Sequence, residues 1–404
     1  MIERTTIAFF GRTNAGKSSL INALTSQEVS IVSDIKGTTT DPVKKVMELL
    51  PIGPVTIVDT PGFDDTTELA VERIKRTAQV LNATQLAVVV LDASYTELSD
   101  GEKNIVLELQ KRKIPFIVAV NKCDSYESSN IQQSCSKLNI PQDCILEVSA
   151  RNNTNINELK NKLGELYKSR QSIHNRPLVK DLVNSGEIVV LVIPIDEAAP
   201  RDRIILPQQM VLRELLDNGS IPVCCTPQTL GQILKGLKNE PALVITDSQA
   251  FGEVSKIVPK NIRLTSFSIL MARYKGTLKD SLDAVKQINS IKAGDKVLIS
   301  EGCTHHRQCG DIGTVKMPAA IKKLCGTEPV FDFSSGSTFP EDLSCYKIVV
   351  HCGGCMLNEN EMKSRAKREK EQKVPFTNYG MVLAQANGIL ERSMKVFDTA
   401  KNGE

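Results

Sequence analysis

The chain has 404 residues, of which 41% are hydrophobic and 24% charged, and its 50 basic and 47 acidic side chains leave a formal net charge of +3. That length exceeds one ordinary hydrophobic core and calls for two or three soluble globular domains, while the near balance of charge gives no general drive towards nucleic acid or an anionic membrane. No run of about 18 apolar residues occurs, so no membrane span is expected, and the strand-like Thr5–Phe10 begins too early to leave room for a signal peptide.

In chain order, residues 1–172 alternate short apolar runs with helical patterns. Thr5–Phe10, Val55–Val58, Leu86–Leu91, Phe116–Val120 and Ile145–Val148 have the character of buried parallel strands, each running into a polar or Gly-rich segment. This is the pattern of a doubly wound α/β domain with ligands at the carboxyl edge of its sheet. Residues 173–265 repeat the style more briefly. The strands Ile188–Ile193, Ile221–Cys224 and Ala242–Ile245 alternate with helices near 208–217 and 228–238, giving a second, smaller α/β unit. It carries no phosphate loop, which favours a structural or dimer-forming module. Residues 266–404 form a third α/β segment, with a helix near 278–290, strands at Lys296–Ile299 and Tyr346–Val350, and a helix from Asn358. The mixed-sign run Lys363–Lys373 reads as a solvated helix face. No repeat of 20–50 residues is visible.

The first segment carries a complete phosphate loop, Gly11-Arg12-Thr13-Asn14-Ala15-Gly16-Lys17-Ser18. Its spacing lets backbone N–H groups curl around phosphates at the start of the predicted helix Ser18–Leu24. Lys17 would neutralise the outer phosphates and the Ser18 hydroxyl would take one Mg2+ position. Gly37-Thr38-Thr39-Thr40-Asp41 follows as a switch segment, with Thr39 closing onto Mg2+ and the γ-phosphate. In Asp59-Thr60-Pro61-Gly62, Asp59 would hold Mg2+ through water and the Gly62 N–H would sense the γ-phosphate. Asn121-Lys122-Cys123-Asp124 supplies a carboxylate, Asp124, that accepts two hydrogen bonds from guanine and none from adenine, so GTP is selected over ATP. Ser149 and Ala150 then face the guanine oxygen. The nucleotide set is thus Asn14, Ala15, Gly16, Lys17, Ser18, Ser19, Asp59, Gly62, Asn121, Lys122, Asp124, Ser149 and Ala150, with Lys17, Thr39 and Gly62 as catalytic groups.

These motifs resemble the tRNA-modification and ribosome-assembly branch of the translation-factor-related GTPases, whose Asn-x-Gly-Lys-Ser and Gly-Thr-Thr-x-Asp patterns they reproduce. Phe63 stands where Ras-like proteins carry the glutamine that orients water, so hydrolysis is expected to be slow without help. An arginine finger in trans adds a factor of about 10³–10⁵. In the resembling branch a K+ ion held by an asparagine fills that place. Asn14 stands at the matching position, which makes K+-stimulated hydrolysis an expectation.

Eleven cysteines without a secretory signal read as reduced thiols of a cytoplasm. Five metal-ligand residues stand out: Cys303, His305, His351, Cys352 and Cys355, in the pattern C-x-H … H-C-x-x-C. Three thiolates and an imidazole suit either tetrahedral zinc or an iron–sulfur cluster. A redox Cys-x-x-Cys is a weaker alternative, and Cys309, Cys325 and Cys345 are further thiols in the segment. Placement of Cys352 and Cys355 just ahead of a helix would favour thiolate there.

A GTPase segment, a short α/β segment and this C-terminal motif together resemble the HydF family, the scaffold GTPases that mature iron–iron hydrogenase. The resemblance spans essentially the whole chain. It implies a Ras-like P-loop GTPase domain, a dimerisation α/β domain that makes the protein a homodimer, and an α/β metal-cluster domain. It further implies a 4Fe–4S cluster on Cys303, Cys352 and Cys355, with an exchangeable fourth position for which His305 and His351, and more remotely Asp196, are candidates. The cargo would be a di-iron precursor built by the maturases HydE and HydG and passed to the apo-hydrogenase HydA. The rival reading is a zinc-containing GTPase of ribosome assembly or tRNA modification, which predicts RNA affinity and a colourless protein.

Overall fold

The computed structural model of the chain describes residues 4–25, 43–62, 70–126, 129–173, 176–195, 204–302, 311–336, 338–354, 357 and 359–398. The switch segment 37–41, Phe63, Asp196, Cys303, His305, Cys309 and Cys355 lie outside these residues. Contacts divide the chain into two compact units, residues 3–175 and residues 176–404.

The first unit runs β1 (Thr5–Phe10), α1 (Lys17–Thr25), β2 (Val43–Leu49), β3 (Gly53–Asp59), α2 (Ala70–Ala83), β4 (Leu86–Asp92), α3 (Asp100–Lys111), β5 (Phe116–Asn121), α4 (Ser129–Ser136), β6 (Ile145–Glu147) and α5 (Ile156–Ile173). Its sheet has the order β2-β3-β1-β4-β5-β6, parallel throughout except for the edge strand β2. Every residue of β4 is buried. Each Val or Leu so placed contributes about 1.5–3 kcal/mol, which is why this strand lies at the middle of the sheet. Apolar cores cover both faces, one under α1 and α5 and one under α3 and α4. The start of α3 is fixed by a capping box. The Ser99 hydroxyl accepts from the Glu102 N–H, and the Glu102 carboxylate accepts from the Ser99 N–H at 2.8 Å. The strand β2 was not anticipated from the sequence because its apolar residues Val43 and Val46 are exposed.

The second unit holds two four-stranded sheets. The first is formed by β7 (Ile188–Val192), α6 (Leu206–Asp217), β8 (Ile221–Cys225), α7 (Pro227–Gly236), β9 (Leu243–Thr246), α8 (Phe251–Ile257), β10 (Leu264–Ser266) and α9 (Phe267–Tyr274). The other comprises α10 (Leu278–Val285), β11 (Lys296–Glu301), α11 (Met317–Cys325), β12 (Val330–Ser335), β13 (Tyr346–His351), α12 (Glu359–Glu371), β14 (Phe376–Asn378), α13 (Tyr379–Ala386) and α14 (Leu390–Met394). The orders are β10-β9-β7-β8 and β12-β11-β13-β14, with every pair parallel. Counted within each sheet, both have the strand order 2-1-3-4. The two sheets repeat one topology that left no periodic trace in the residues.

One apolar core is common to both sheets: Val190, Val192 and Val244 share it with Val297, Ile299, Ile348 and Val350. That shared core makes residues 176–404 a single unit. The residue-265 boundary expected from the sequence falls inside β10, and α9 sends Phe267, Leu270 and Met271 into the outer core of the first of these sheets. Among the described residues no helix is long and apolar enough to cross a membrane.

The charged helix α12 departs from expectation. Met362, Arg365 and Glu369 recur at helical spacing, and all three are buried. The run Lys363–Lys373 therefore has a solvated face and an inward stripe. A run made almost wholly of Lys, Arg and Glu gives no polarity contrast from which that stripe could be read.

Candidate functional sites: a nucleotide edge and a thiolate edge

The phosphate loop joins the carboxyl end of β1 to α1 and is braced by its neighbours. The Lys17 ammonium donates to the carbonyls of Gly11 (3.1 Å) and Arg12 (2.7 Å), which curves the loop around its own cation. The Ser18 hydroxyl lies 2.5 Å from Asp59 Oδ2, so the two Mg2+ residues named from separate motifs meet. Asp59 Oδ1 is buried with no hydrogen-bond partner. An orphaned carboxylate oxygen beside a serine hydroxyl fits a hydrated Mg2+ ion, which Ser18 and Asp59 would hold. Gly62 is pressed against the loop: a Cβ there would fall 2.2 Å from Thr13 Oγ1 and 2.3 Å from the Thr13 nitrogen. Only glycine fits that approach. Asn14 is exposed with φ at +62°, a left-handed conformation that asparagine tolerates.

The base-recognition residues converge at the ends of β5 and β6. Asn121 bridges the two loops, donating to Ala15 O at 3.0 Å and accepting from the Ala150 N–H at 3.1 Å. Asp124 is exposed and oriented by the Ser149 hydroxyl (2.6 Å) and the Ser125 hydroxyl (2.9 Å). These bonds, Ser149 first, hold its carboxyl below the usual carboxylate range, and it is the ionised form that accepts the two guanine donors.

Sequence reasoning missed three supports. Asp92, at the end of β4, pairs with Lys122 at 2.5 Å. Burial pushes its carboxyl up, but Lys122 and Ser94 outweigh that and leave it below its ordinary value. Arg12 pairs with buried Glu102 at 2.9 Å and lies 4.1 Å over the Tyr95 ring. The carboxylate that caps α3 thus also anchors the phosphate loop. An arginine inside the loop motif was the one available signal.

The second site lies where β11 and β13 end side by side, Ser300 in register with His351. The Cys352 N–H donates to Ser300 O at 2.9 Å. The Cys352 sulfur in turn accepts from the Gly302 N–H at 3.1 Å and from the Gly354 N–H at 3.4 Å. The residue preceding Cys303 therefore touches the Cys352 sulfur, although 50 positions separate them. Gly354 has φ at +62° and the Leu357 N–H returns to its carbonyl at 3.0 Å, bringing together the two sides of Cys355. Two amide donors on one sulfur favour thiolate, and this donor set fits a thiolate-bound metal or cluster. The helix-end argument does not hold for Cys352, because α12 starts seven residues later, beyond the reach of a first turn. Among the described residues no group of three or more His, Cys, Asp or Glu side chains is placed to hold a metal.

His351, a candidate fourth ligand from the sequence, is committed elsewhere. It is fully buried. Its Nε2 accepts from Arg365 at 2.9 Å, which leaves the proton on Nδ1 to be donated to Cys352 O at 2.9 Å. Burial, and then the Arg365 charge, push the imidazole down to about 3. Arg365, only 2% exposed, also donates to Ser300 Oγ and to Gly336 O, and pairs with Glu361 at 3.1 Å. It gathers the ends of β11, β12 and β13. Cys325 is engaged in the turn that closes α11, where it meets Thr327. Cys345 is exposed at the opposite end of β13; seven residues of strand at about 3.3 Å each put it on the order of 20 Å from Cys352. Neither is brought to the thiolate site.

Comparisons with known proteins divide along the same lines. Residues 6–122 match the family model described as 50S ribosome-binding GTPase, residues 178–276 the Hydrogen maturase F dimerization domain, and residues 279–396 the Hydrogen maturase F tetramerization domain. The tRNA modification GTPase MnmE of Ligilactobacillus salivarius (strain UCC118) is 33% identical over 162 residues, 40% of this chain and 33% of that protein. MnmE of Aquifex aeolicus (strain VF5) is 35% identical over 159 residues, 39% of this chain and 33% of that one. The chain thus spans about a third of the length of these curated relatives. A solved structure titled as a probable GTP-binding protein, engB, is 28% identical with a TM-score of 0.34 and covers 41% of this chain and 100% of its own.

Proposed function

The chain belongs to the hydrogen maturase F family, two of whose domain models together span most of residues 178–396, and we propose that it is a GTP-hydrolysing scaffold that carries a 4Fe–4S cluster. From it a di-iron precursor passes to apo iron–iron hydrogenase. The observation that carries the cluster reading is the Gly302 N–H on the Cys352 sulfur, which brings the chain leading into Cys303 to the Cys352-Gly-Gly-Cys355 turn. Cys303, Cys352 and Cys355 are the proposed ligands. When bound, the cluster supplies an iron with one exchangeable coordination position. His305 and Asp196 remain the candidates for that position, since His351 would first have to break both of its hydrogen bonds.

In GTP hydrolysis, water attacks the γ-phosphorus and the bond to the β-phosphate oxygen breaks, giving GDP and inorganic phosphate. Lys17 and the loop amides neutralise the charge that develops on the phosphates. Ser18, Thr39 and water on Asp59 would hold Mg2+, and the Gly62 N–H would face the γ-phosphate. Asn14 is proposed to hold a K+ ion in place of the missing glutamine. Phosphate release at equal rates in potassium and sodium salts would remove that role.

The protein is proposed to act in the cytoplasm as a homodimer. It would receive the precursor from HydE and HydG and hand it to HydA. Hydrolysis is proposed to gate partner exchange through the switch segment. A Lys17→Ala variant should bind the cluster but turn over partners slowly. Unchanged partner exchange and delivery by that variant would refute the gate.

A further inference from the structure

We propose that the segment Asp92–Glu102, from the end of β4 to the first turn of α3, is a further motif of the nucleotide edge. Within it, Glu102 positions the phosphate loop through Arg12, and Asp92 positions the base loop through Lys122. At the phosphate end, Arg12 is held on three sides. Its Nε donates to Glu102 Oε2 at 2.9 Å, a terminal nitrogen donates to Glu97 O at 2.8 Å, and the guanidinium lies 4.1 Å over the Tyr95 ring. All three partners belong to the segment. The backbone carbonyl of Arg12 accepts from the Lys17 ammonium at 2.7 Å and from the Ala15 N–H at 3.3 Å. Fixing the Arg12 side chain therefore fixes a carbonyl on which Lys17 rests, and Lys17 is the cation that meets the outer phosphates. Glu102 is 1% exposed. A carboxylate so far out of water is costly unless a cation compensates it, and Arg12 supplies that charge beside the Ser99 donors.

At the base end, Asp92 lies in register beside Asn121 of β5, and the Ala93 N–H donates to Asn121 O at 2.9 Å. Asp92 Oδ1 accepts from the Ser94 N–H at 2.9 Å and from the Ser94 hydroxyl at 2.7 Å. The carboxylate is thereby aimed, and its Oδ2 meets the Lys122 ammonium. Lys122 has φ at +69°, a left-handed conformation uncommon for lysine. The ion pair holds that turn in place. Asp124 stands two residues further on, so the turn sets the angle at which its carboxylate meets guanine. One segment thus grips both halves of the site, each through a cation that lies inside a nucleotide motif.

This rests on GTP hydrolysis and is independent of the cluster. Phosphate release is measured with GTP and with inosine triphosphate, which lacks the 2-amino donor. The full-length proteins are wild type, Arg12→Met, Arg12→Met with Glu102→Gln, and Asp92→Asn, and thermal unfolding of each is followed by circular dichroism. A misplacement of 1 Å can cost about 10²-fold. Arg12→Met is therefore expected to lower kcat/KM for both nucleotides by about 10- to 10²-fold and to leave their ratio unchanged. Adding Glu102→Gln removes the buried charge that Arg12→Met leaves uncompensated, so the double variant should regain stability but not rate. Asp92→Asn is expected to narrow the preference for GTP over inosine triphosphate, because Asp124 is no longer aimed at the 2-amino group. Wild-type rates in Arg12→Met, or a double variant that regains rate together with stability, would overturn the phosphate half and make the pair a plain structural one. An unchanged preference in Asp92→Asn would overturn the base half. A wild type that releases no phosphate from GTP would defeat the GTPase reading itself, and this proposal with it.

Discussion

The nucleotide edge of the first sheet and the thiolate edge of the third are both carboxyl edges of parallel strands, yet they are organised from different places. At the nucleotide edge the working side chains brace one another: Ser18 meets Asp59, Asn121 spans two loops, and Ser149 aims Asp124. At the thiolate edge the sulfur is held by backbone amides, and the side chains that shape it arrive from outside. Arg365 comes from α12, and the Lys275 ammonium, from beyond the end of α9, donates to Leu357 O. A site assembled from its own motifs tolerates change in its surroundings, whereas one assembled from helices that carry no ligand does not.

The sharpest break in that comparison is a pair of variants with opposite losses. Cys352→Ala should abolish cluster uptake while phosphate release from GTP persists. Lys17→Ala should do the reverse, lowering phosphate release by at least about 10²-fold on the scale of removing one electrostatic stabiliser. If either variant lost both activities, the two edges would not be independently assembled.

Asp124→Asn comes next. The amide keeps one acceptor and turns the other into a donor that opposes the guanine 2-amino group. Two hydrogen bonds to a charged group, at about 1.5–3 kcal/mol each, imply a loss of GTP affinity of roughly 10²–10⁴-fold. Xanthine nucleotides, which carry an acceptor at that position, should bind more tightly than they do to wild type. Titration of a fluorescent nucleotide decides it, and unchanged discrimination would contradict the role.

Much of the nucleotide edge was legible because its residues stand in short contiguous motifs, each following a strong apolar strand. The fold class was legible for the same reason, through runs such as Leu86–Leu91. At the thiolate edge only the cysteines and histidines were visible. Arg365 was hidden in a helix rich in Lys, Arg and Glu. The short strands β10 and β14, three residues each, offer no alternation to count. The edge strand β12 exposes Val330 and Phe333 and so lacks the buried pattern of a central strand. His351 misled because imidazole beside cysteine is also the signature of a metal ligand, and only its buried arginine partner distinguishes the two.

Arg365→Met sharpens the contrast from the thiolate side. It removes the Arg365–Glu361 ion pair and the donor to the Gly336 carbonyl and His351 Nε2. Removing one member of a buried ion pair costs about 3–5 kcal/mol. Glu361 keeps some exposure, so the lower end, about 3 kcal/mol, is expected. Denaturant unfolding should show that loss in residues 176–404 and leave GTP binding intact. A loss below about 1 kcal/mol would mean that Arg365 does not organise the strand ends.

The smallest effect has the opposite sign. Glu369 is buried with both carboxylate oxygens unpartnered, and burial holds its carboxyl well above the usual range. The folded protein therefore keeps a proton that the unfolded chain releases above about pH 4.5. Stability is then greatest below that pH and declines as pH rises towards the raised value. Glu369→Met should stabilise the second unit by about 1–3 kcal/mol at neutral pH and flatten its pH dependence. A destabilised variant would mean that the carboxyl has found a partner after all.

Anaerobic reconstitution of the wild-type chain with iron and sulfide tests the central claim most directly. The account predicts a brown protein with broad visible absorption, bleached by dithionite and giving a cluster signal in electron paramagnetic resonance. A colourless protein that takes up zinc in place of iron would contradict it.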